Sequence, residues 1–88
     1  MKITENITLD FRHDIKAGKT ACIITKNDIQ QIGLAKCSSK DQFSRPLGRK
    51  HSLIRVLSKE VNGKRVFDRV DRTKIWSVMR EKNINLAI

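Results

Sequence analysis

Apolar and polar residues alternate through the beginning of the chain. Between Lys2 and Arg12 the even positions are polar. The odd positions are apolar apart from Glu5 and comprise Ile3, Ile7, Leu9 and Phe11. A period of two is typical of a strand with one buried face. The pattern therefore predicts a single strand over Lys2–Arg12.

Two further strands are predicted before residue 38. Thr20–Lys26 is rich in β-branched residues, and Ile29–Cys37 places small residues on one face and Ile32 with Leu34 on the other. Turn residues separate the three segments in His13–Lys19 and at Asn27-Asp28. Connections this short favour antiparallel pairing. Residues 2–37 are therefore predicted to form a three-stranded antiparallel meander.

The second part of the chain has helical spacing. Pro46 suits the first turn of a helix over residues 46–61. Its apolar stripe contains Leu47, Leu53, Ile54, Leu57 and Val61. Asn62-Gly63 ends this helix and is also a hairpin signal, so Lys64–Phe67 is either a short strand or the lead-in to the next helix.

A second helix is predicted over residues 69–82, with Asp68 or Asp71 as its N-cap. Its apolar stripe is Ile75, Trp76, Val78 and Met79. The alternating tail from Ile84 to Ile88 suits either a short edge strand or a packed terminus. The expected fold is α+β, one domain over residues 1–88, with both helices on one face of the meander.

The charge of the chain is strongly positive and unevenly distributed. The 88 residues include 19 Lys and Arg against 9 Asp and Glu, a net charge of +10. Residues 1–35 hold five basic and four acidic side chains, whereas residues 36–88 hold fourteen and five. Clustered basic residues are the usual electrostatic footprint of nucleic-acid-binding proteins.

No pattern of catalytic residues is present. Phosphate-binding glycine loops, dinucleotide fingerprints and zinc-protease motifs are all missing from the sequence. We therefore expect a non-catalytic protein with no cofactor and no metal. No apolar run approaches the ~20 residues that a membrane span needs, and no secretory signal is seen. The expected location is the cytoplasm.

The two cysteines, Cys22 and Cys37, lie on different predicted strands. They lack the spacing of a zinc site. A disulfide requires that their strands pair, and two reduced thiols are the alternative expected in a reducing cytosol.

The densest basic cluster spans the loop and the start of the first helix. Helix N-termini, hydroxyls and Arg or Lys side chains together suit phosphate groups. The predicted binding residues here are Lys36, Lys40, Arg45, Arg49, Lys50, Arg55 and Lys59. A second cluster adds Arg65, Arg69 and Arg72. Phe43 and Phe67 suit either stacking on bases or core packing, and the scarcity of aromatic residues favours the core.

The segment from Gly33 to Arg49 resembles small phage-encoded proteins of unassigned function. These carry the motif A-x-C-x-x-x-D-x-F-x-R-x-x-G-R leading into a helix. The matching residues are Ala35, Cys37, Asp41, Phe43, Arg45, Gly48 and Arg49. The chain departs from the expected pattern at Pro46 and at His51-Ser52. The resemblance implies a phage protein acting in a bacterial cytoplasm and assigns no activity.

Two main hypotheses follow for the partner. In the first, the basic face binds nucleic-acid phosphates, of DNA or RNA. In the second, the same charges bind an acidic surface of a host or defence protein, and the chain acts as a phage inhibitor or modulator. A virion accessory component is a third possibility. Composition does not distinguish them.

Overall fold

The computed structural model describes residues 1–37 and 43–86 of the chain. It has the predicted α+β class, with two sheets and two helices. In chain order the elements are β1 (Lys2–Thr4), β2 (Ile7–Asp14), β3 (Lys19–Lys26), β4 (Ile29–Lys36), α1 (Arg45–Leu57), β5 (Glu60–Val61), β6 (Lys64–Arg65) and α2 (Arg69–Glu81).

The main sheet has four strands, so the prediction of three was wrong. β1 and β2 are two antiparallel strands where one strand over Lys2–Arg12 was expected. The chain reverses at Glu5 and Asn6, and the Asn6 amide donates to Thr4 Oγ1 at 3.2 Å. Ile3 and Ile7 are both buried on either side of the reversal. The alternation therefore continues through a turn that contains neither glycine nor proline.

The main sheet is an antiparallel meander in the order β1-β2-β3-β4. Asn27 and Asp28 join β3 to β4 with positive φ angles of 51° and 67°. Two such residues in succession are the signature of a type I′ hairpin turn, which matches the twist of the strands. The register pairs Cys22 with Gly33 and Thr20 with Ala35.

Both helices pack on one face of this sheet, as predicted. Apolar residues from β2, β3, α1 and α2 form one buried cluster, which also contains Ile3 and Leu86. Phe67, just before α2, is completely buried in it. That burial confirms Phe67 as a core residue.

The first helix lies very close to β3 and β4 because small residues face each other. A Cβ atom on Gly33 would overlap the carbonyl oxygen of Ser52 and lie 2.5 Å from the Val56 amide nitrogen. A Cβ atom on Gly48 would overlap the Thr20 hydroxyl. The small residues on the inner side of β4 were predicted to let another element approach closely, and that element is α1.

The buried stripe of α1 agrees with the prediction only in part. Leu53 and Leu57 are buried as predicted, whereas Leu47, Ile54 and Val61 are exposed. Ser52 and Val56, which were not predicted, are fully buried. The line that faces the sheet is Gly48, Ser52 and Val56, a spacing of four residues. Ser52 is tolerated there because its hydroxyl donates to the Gly48 carbonyl at 2.7 Å. A search for apolar residues overlooks such a line because two of its members are small or polar.

The first helix ends at Leu57, four residues before the predicted end. The Ser58 hydroxyl turns back and donates to the Ile54 carbonyl at 2.7 Å. The next residues form the hairpin β5–β6, whose turn is Asn62-Gly63 with φ angles of 55° and 77°. The hairpin interpretation of Asn62-Gly63 is therefore confirmed, and Glu60 and Val61 belong to a strand.

The second helix agrees closely with its prediction. Asp68 is the N-cap, and its carboxylate accepts from the Asp71 amide at 2.8 Å. Ile75, Val78 and Met79 are buried. After the helix, Leu86 is buried in the core, which supports a packed tail over residues 84–86; residues 87 and 88 lie outside the described part.

The two cysteines are too far apart for a disulfide. Cys22 of β3 lies opposite Gly33 of β4, and Cys37 lies four residues after Gly33 along the chain. At about 3.3 Å per residue this separates them by about 13 Å, well beyond the reach of a disulfide. Burial, with a smaller effect of Asp10, raises the pKa of the Cys22 thiol to about 12. Cys22 is therefore an unreactive core thiol.

We expect Gly33→Ala to destabilise the fold. Its Cβ would collide with backbone atoms of α1, which cannot move aside as a flexible side chain can. The expected loss in the free energy of unfolding is about 3 kcal/mol, the upper part of the range for overpacked cores. Urea unfolding followed by circular dichroism measures it. Gly63→Asn is the control, because Asn tolerates a positive φ and no atom lies within 4 Å of the site. Equal stability of Gly33→Ala and the parent would contradict the close seating of α1.

Candidate functional site

The start of α1 meets the end of the sheet at a cleft of about 530 Å³. Its walls come from Gly18 and Thr20, from the end of β4 and from the first two turns of α1. The side chains that give it chemical character are Thr20, Lys36, Phe43, Ser44 and His51. We refer to this space as the α1 cleft.

The first turn of α1 satisfies most of its own backbone amides, since the Gly48 amide donates to the Ser44 carbonyl at 2.9 Å and Pro46 has no N–H. Ser44 is the N-cap, and its hydroxyl accepts from the Leu47 amide at 3.4 Å. Pro46 lies in the first turn, as predicted, and no acidic side chain lies there. Among the described residues, no carboxylate of the first turn neutralises the positive end of the helix dipole.

His13 lies beside this helix start, on the inner side of β2. Its Nδ1 lies 3.0 Å from the Thr20 hydroxyl, and its ring meets that of Phe43 edge to face at 5.9 Å. Burial lowers the pKa of His13 below its ordinary value, and the nearby charges of Arg49 and Arg45 lower the pKa further. The sequence pattern predicted a turn at His13, but His13 belongs to β2. The missed signal is its phase, since it continues the odd, inward positions of β2.

The predicted basic residues separate into two regions at opposite ends of the domain. The α1 end holds Lys36, Arg45 and Arg49; Lys40 lies outside the described residues. The tail also reaches this end, because Arg49 donates to the Asn85 carbonyl at 2.9 Å. The other end carries the β5–β6 hairpin and the start of α2, where Asp71 pairs with Lys26 at the end of β3. It holds the predicted residues Lys59, Arg65 and Arg69, together with their neighbour Lys64.

Three of the predicted arginines have hydrogen-bond partners, and each partner is a backbone carbonyl. Arg49 donates to Asn85, Arg55 donates to Leu34 at 2.5 Å, and Arg72 donates to Phe67 at 3.3 Å. A carbonyl is uncharged, so these contacts fix the side chains and leave their charges unneutralised. Lys50 lies half-buried on α1, away from the Arg55 side of the helix.

Carboxylates neutralise few of the cations. Over residues 1–37 and 43–86 the ion pairs are Arg12–Asp10 at 3.5 Å and Lys26–Asp71 at 2.5 Å. Neither includes a predicted binding residue. Lys36, Arg45, Lys59, Arg65 and Arg69 are exposed, so their charges remain available to a partner.

Metal ligands do not converge in the part of the chain that the structure describes. Across those residues there is no group of three His, Cys, Asp or Glu side chains placed to hold an ion. None of the described helices is long and apolar enough to cross a membrane.

Comparisons with known proteins find no relative. The chain matches no family model, no curated protein and no solved structure. Its function must therefore be argued from its own residues.

We expect the stability of the fold to decrease below about pH 6.5 because of His13. Its pKa is lower in the folded protein than the ordinary value of 6.5, so the unfolded chain takes up the proton first. The free energy of unfolding is therefore unaffected by His13 above pH 6.5. It decreases as the pH falls from 6.5 towards the pKa of His13 in the folded protein. Urea unfolding between about pH 5 and about pH 8 measures this slope.

The matched variants are His13→Gln and His51→Gln. The first should flatten the slope below pH 6.5, since Gln keeps a polar partner for Thr20 and does not titrate. The second changes an exposed histidine of the same cleft and should leave the slope in place. If His13→Gln retained the full slope, His13 would not be its source.

Proposed function

We propose that this protein is a non-catalytic nucleic-acid-binding module that contacts phosphates through its basic loop-and-helix face. The observation that carries the proposal is the set of described cations in the second part of the chain that have no described carboxylate partner. Such a field attracts polyanions and releases their counterions on binding.

The α1 cleft supports phosphate contact most directly. Arg45 is exposed at the first turn of α1, and Lys36 lines the same cleft. The positive end of the α1 dipole adds to their charge there. All of these groups recognise a phosphate without reading a base, so we propose binding through the backbone of DNA or RNA.

The hairpin end provides a second group of contacts. Lys64 and Arg65 form β6, and Arg69 begins α2 after one short turn. All three are exposed. Two basic regions at opposite ends of one small domain suit an extended polyanion better than a single small anion. The phage-type origin implied by the sequence motif remains part of this proposal, and it would place binding in the bacterial host cytoplasm.

We expect Arg45→Ala to weaken nucleic-acid binding and to reduce its salt dependence. Loss of one phosphate contact should reduce the slope of log K against log salt by about 0.9 on duplex DNA. Fluorescence anisotropy with labelled duplex DNA, single-stranded DNA and RNA between about 50 mM and about 200 mM salt measures both effects. Arg45 is the best choice because, unlike Arg49, it makes no hydrogen bond that holds the described fold together.

Lys2→Ala is the matched control. It removes the same charge from an exposed position on β1, outside the proposed face. Its affinity should exceed that of Arg45→Ala, and its slope should equal that of the parent. If the parent binds neither DNA nor RNA at low salt, the proposal is wrong. A single protein captured in stoichiometric amount from nuclease-treated bacterial lysate would then favour the acidic host protein.

A further inference from the structure

The last strand of the main sheet has an open side, on which no other described strand pairs. β4 is at the edge of the sheet and has eight residues. The Cys37 amide donates to the Gly18 carbonyl on the β3 side at 2.6 Å, so odd-numbered residues of β4 turn their backbone groups towards β3. The even-numbered residues turn theirs outwards. They are Gln30, Ile32, Leu34 and Lys36.

Within the described chain, one group reaches this open side. Arg55 Nη1 donates to the outward carbonyl of Leu34 at 2.5 Å. This contact also confirms the outward direction of the even-numbered residues. The strand contains no proline, and its pairing with β3 is continuous over all eight residues. An edge of this kind is a template on which another extended chain can pair.

The even-numbered side chains of β4 lie on the face away from the helices, with Ile32 and Leu34 in the centre and Gln30 and Lys36 at the two ends. On the face away from the helices, Ile32 is 42% exposed and Leu34 is 57% exposed. They lie opposite Ile23 and Ala21 of β3 and extend an apolar strip to the edge. On the helix side the Arg55 guanidinium reaches the edge.

The charge around the edge favours an acidic occupant. Residues 29–37 and 43–59 contain no Asp or Glu and six basic residues, which are Lys36, Arg45, Arg49, Lys50, Arg55 and Lys59. A second copy of the chain would bring another net charge of +10 against them. That repulsion opposes self-pairing, whereas carboxylates would be attracted.

We propose that the β4 edge binds an acidic extended segment of a partner protein, which pairs antiparallel with it as a fifth strand. Apolar side chains of the segment lie with Ile32 and Leu34, and the alternate acidic side chains lie beside Arg55. The Leu34 carbonyl then accepts a backbone amide of the segment, and Arg55 exchanges that neutral carbonyl for a carboxylate, which is the stronger acceptor. The interaction does not depend on nucleic-acid binding.

The probe is a capped peptide in which Val and Glu alternate over the length of β4. Directly opposed residues of an antiparallel pair place their side chains on the same face. The Val residues therefore face Ile32 and Leu34 and turn their amides towards β4, and the Glu amides point away. N-methylation of the Val amides should abolish binding measured by calorimetry. N-methylation of the Glu amides should leave it intact. Any other pattern overturns the proposed pairing.

Arg55→Ala tests the charged contact. It should weaken binding of the Val/Glu peptide by about tenfold and leave a Val/Gln peptide unaffected. Arg80→Ala, an exposed arginine on α2 that belongs to neither basic set, is the matched control and should lower the affinity of the Val/Glu peptide much less. Equal effects of the two variants would reduce the interaction to general charge attraction and would overturn the role of Arg55.

Amide exchange followed by NMR locates the bound peptide. The outward amides of Ile32 and Leu34 should exchange fast in the free protein and slowly with the peptide. The amides of Gly33 and Ala35 already pair with β3 and should be protected in both states. Protection of amides elsewhere would overturn the proposal. Protection of the Ile32 and Leu34 amides in the free protein, together with a concentration-dependent dimer in sedimentation, would also overturn it and would assign the edge to another copy of the chain.

Discussion

The close approach of α1 to β3 and β4 is the constraint on which the rest of the structure depends. Gly33 and Gly48 leave no room for a side chain between the helix and the sheet. With the helix seated there, its first turn lies over the end of β4 and beside His13, and Arg55 reaches the Leu34 carbonyl at the sheet edge. The α1 cleft and the Arg55 contact at the β4 edge therefore both follow from the close contact between small residues of the helix and the sheet.

The arginines of this domain serve the fold without losing their charge. A guanidinium has five N–H donors and stays protonated in proteins. It can therefore hold a carbonyl, as Arg49 holds Asn85, and still attract an anion. A salt bridge would stabilise the same segment and would also neutralise the field. An arginine of this domain can therefore hold the fold together and still contribute to the positive charge. The number of arginines in a sequence does not show which of them only hold the fold and which bind a partner.

The sequence predicts those elements whose signals are local. The strands after residue 19, the Asn62-Gly63 turn and α2 follow from β-branched runs, turn residues and an N-cap. The reversal at Glu5 and Asn6 was missed because the alternation of apolar residues continues through it. The buried stripe of α1 was predicted only in part, because Gly48 and Ser52 face the sheet, where their small size lets the helix approach closely. The α1 cleft depends on contacts between distant segments, such as that of His13 with Phe43, which no local pattern encodes.

The net charge and the open edge of β4 are linked physically. Natural sheets protect an edge with charged residues, proline or bulges, because an unprotected edge pairs with copies of itself. Along β4 the described protection consists of Lys36 and the Arg55 contact. The remaining barrier to self-pairing is mutual repulsion between chains that each carry +10. A barrier of this kind is selective, because it excludes another copy and becomes an attraction when the approaching strand is acidic. The excess charge therefore keeps the edge open and also determines what can occupy it.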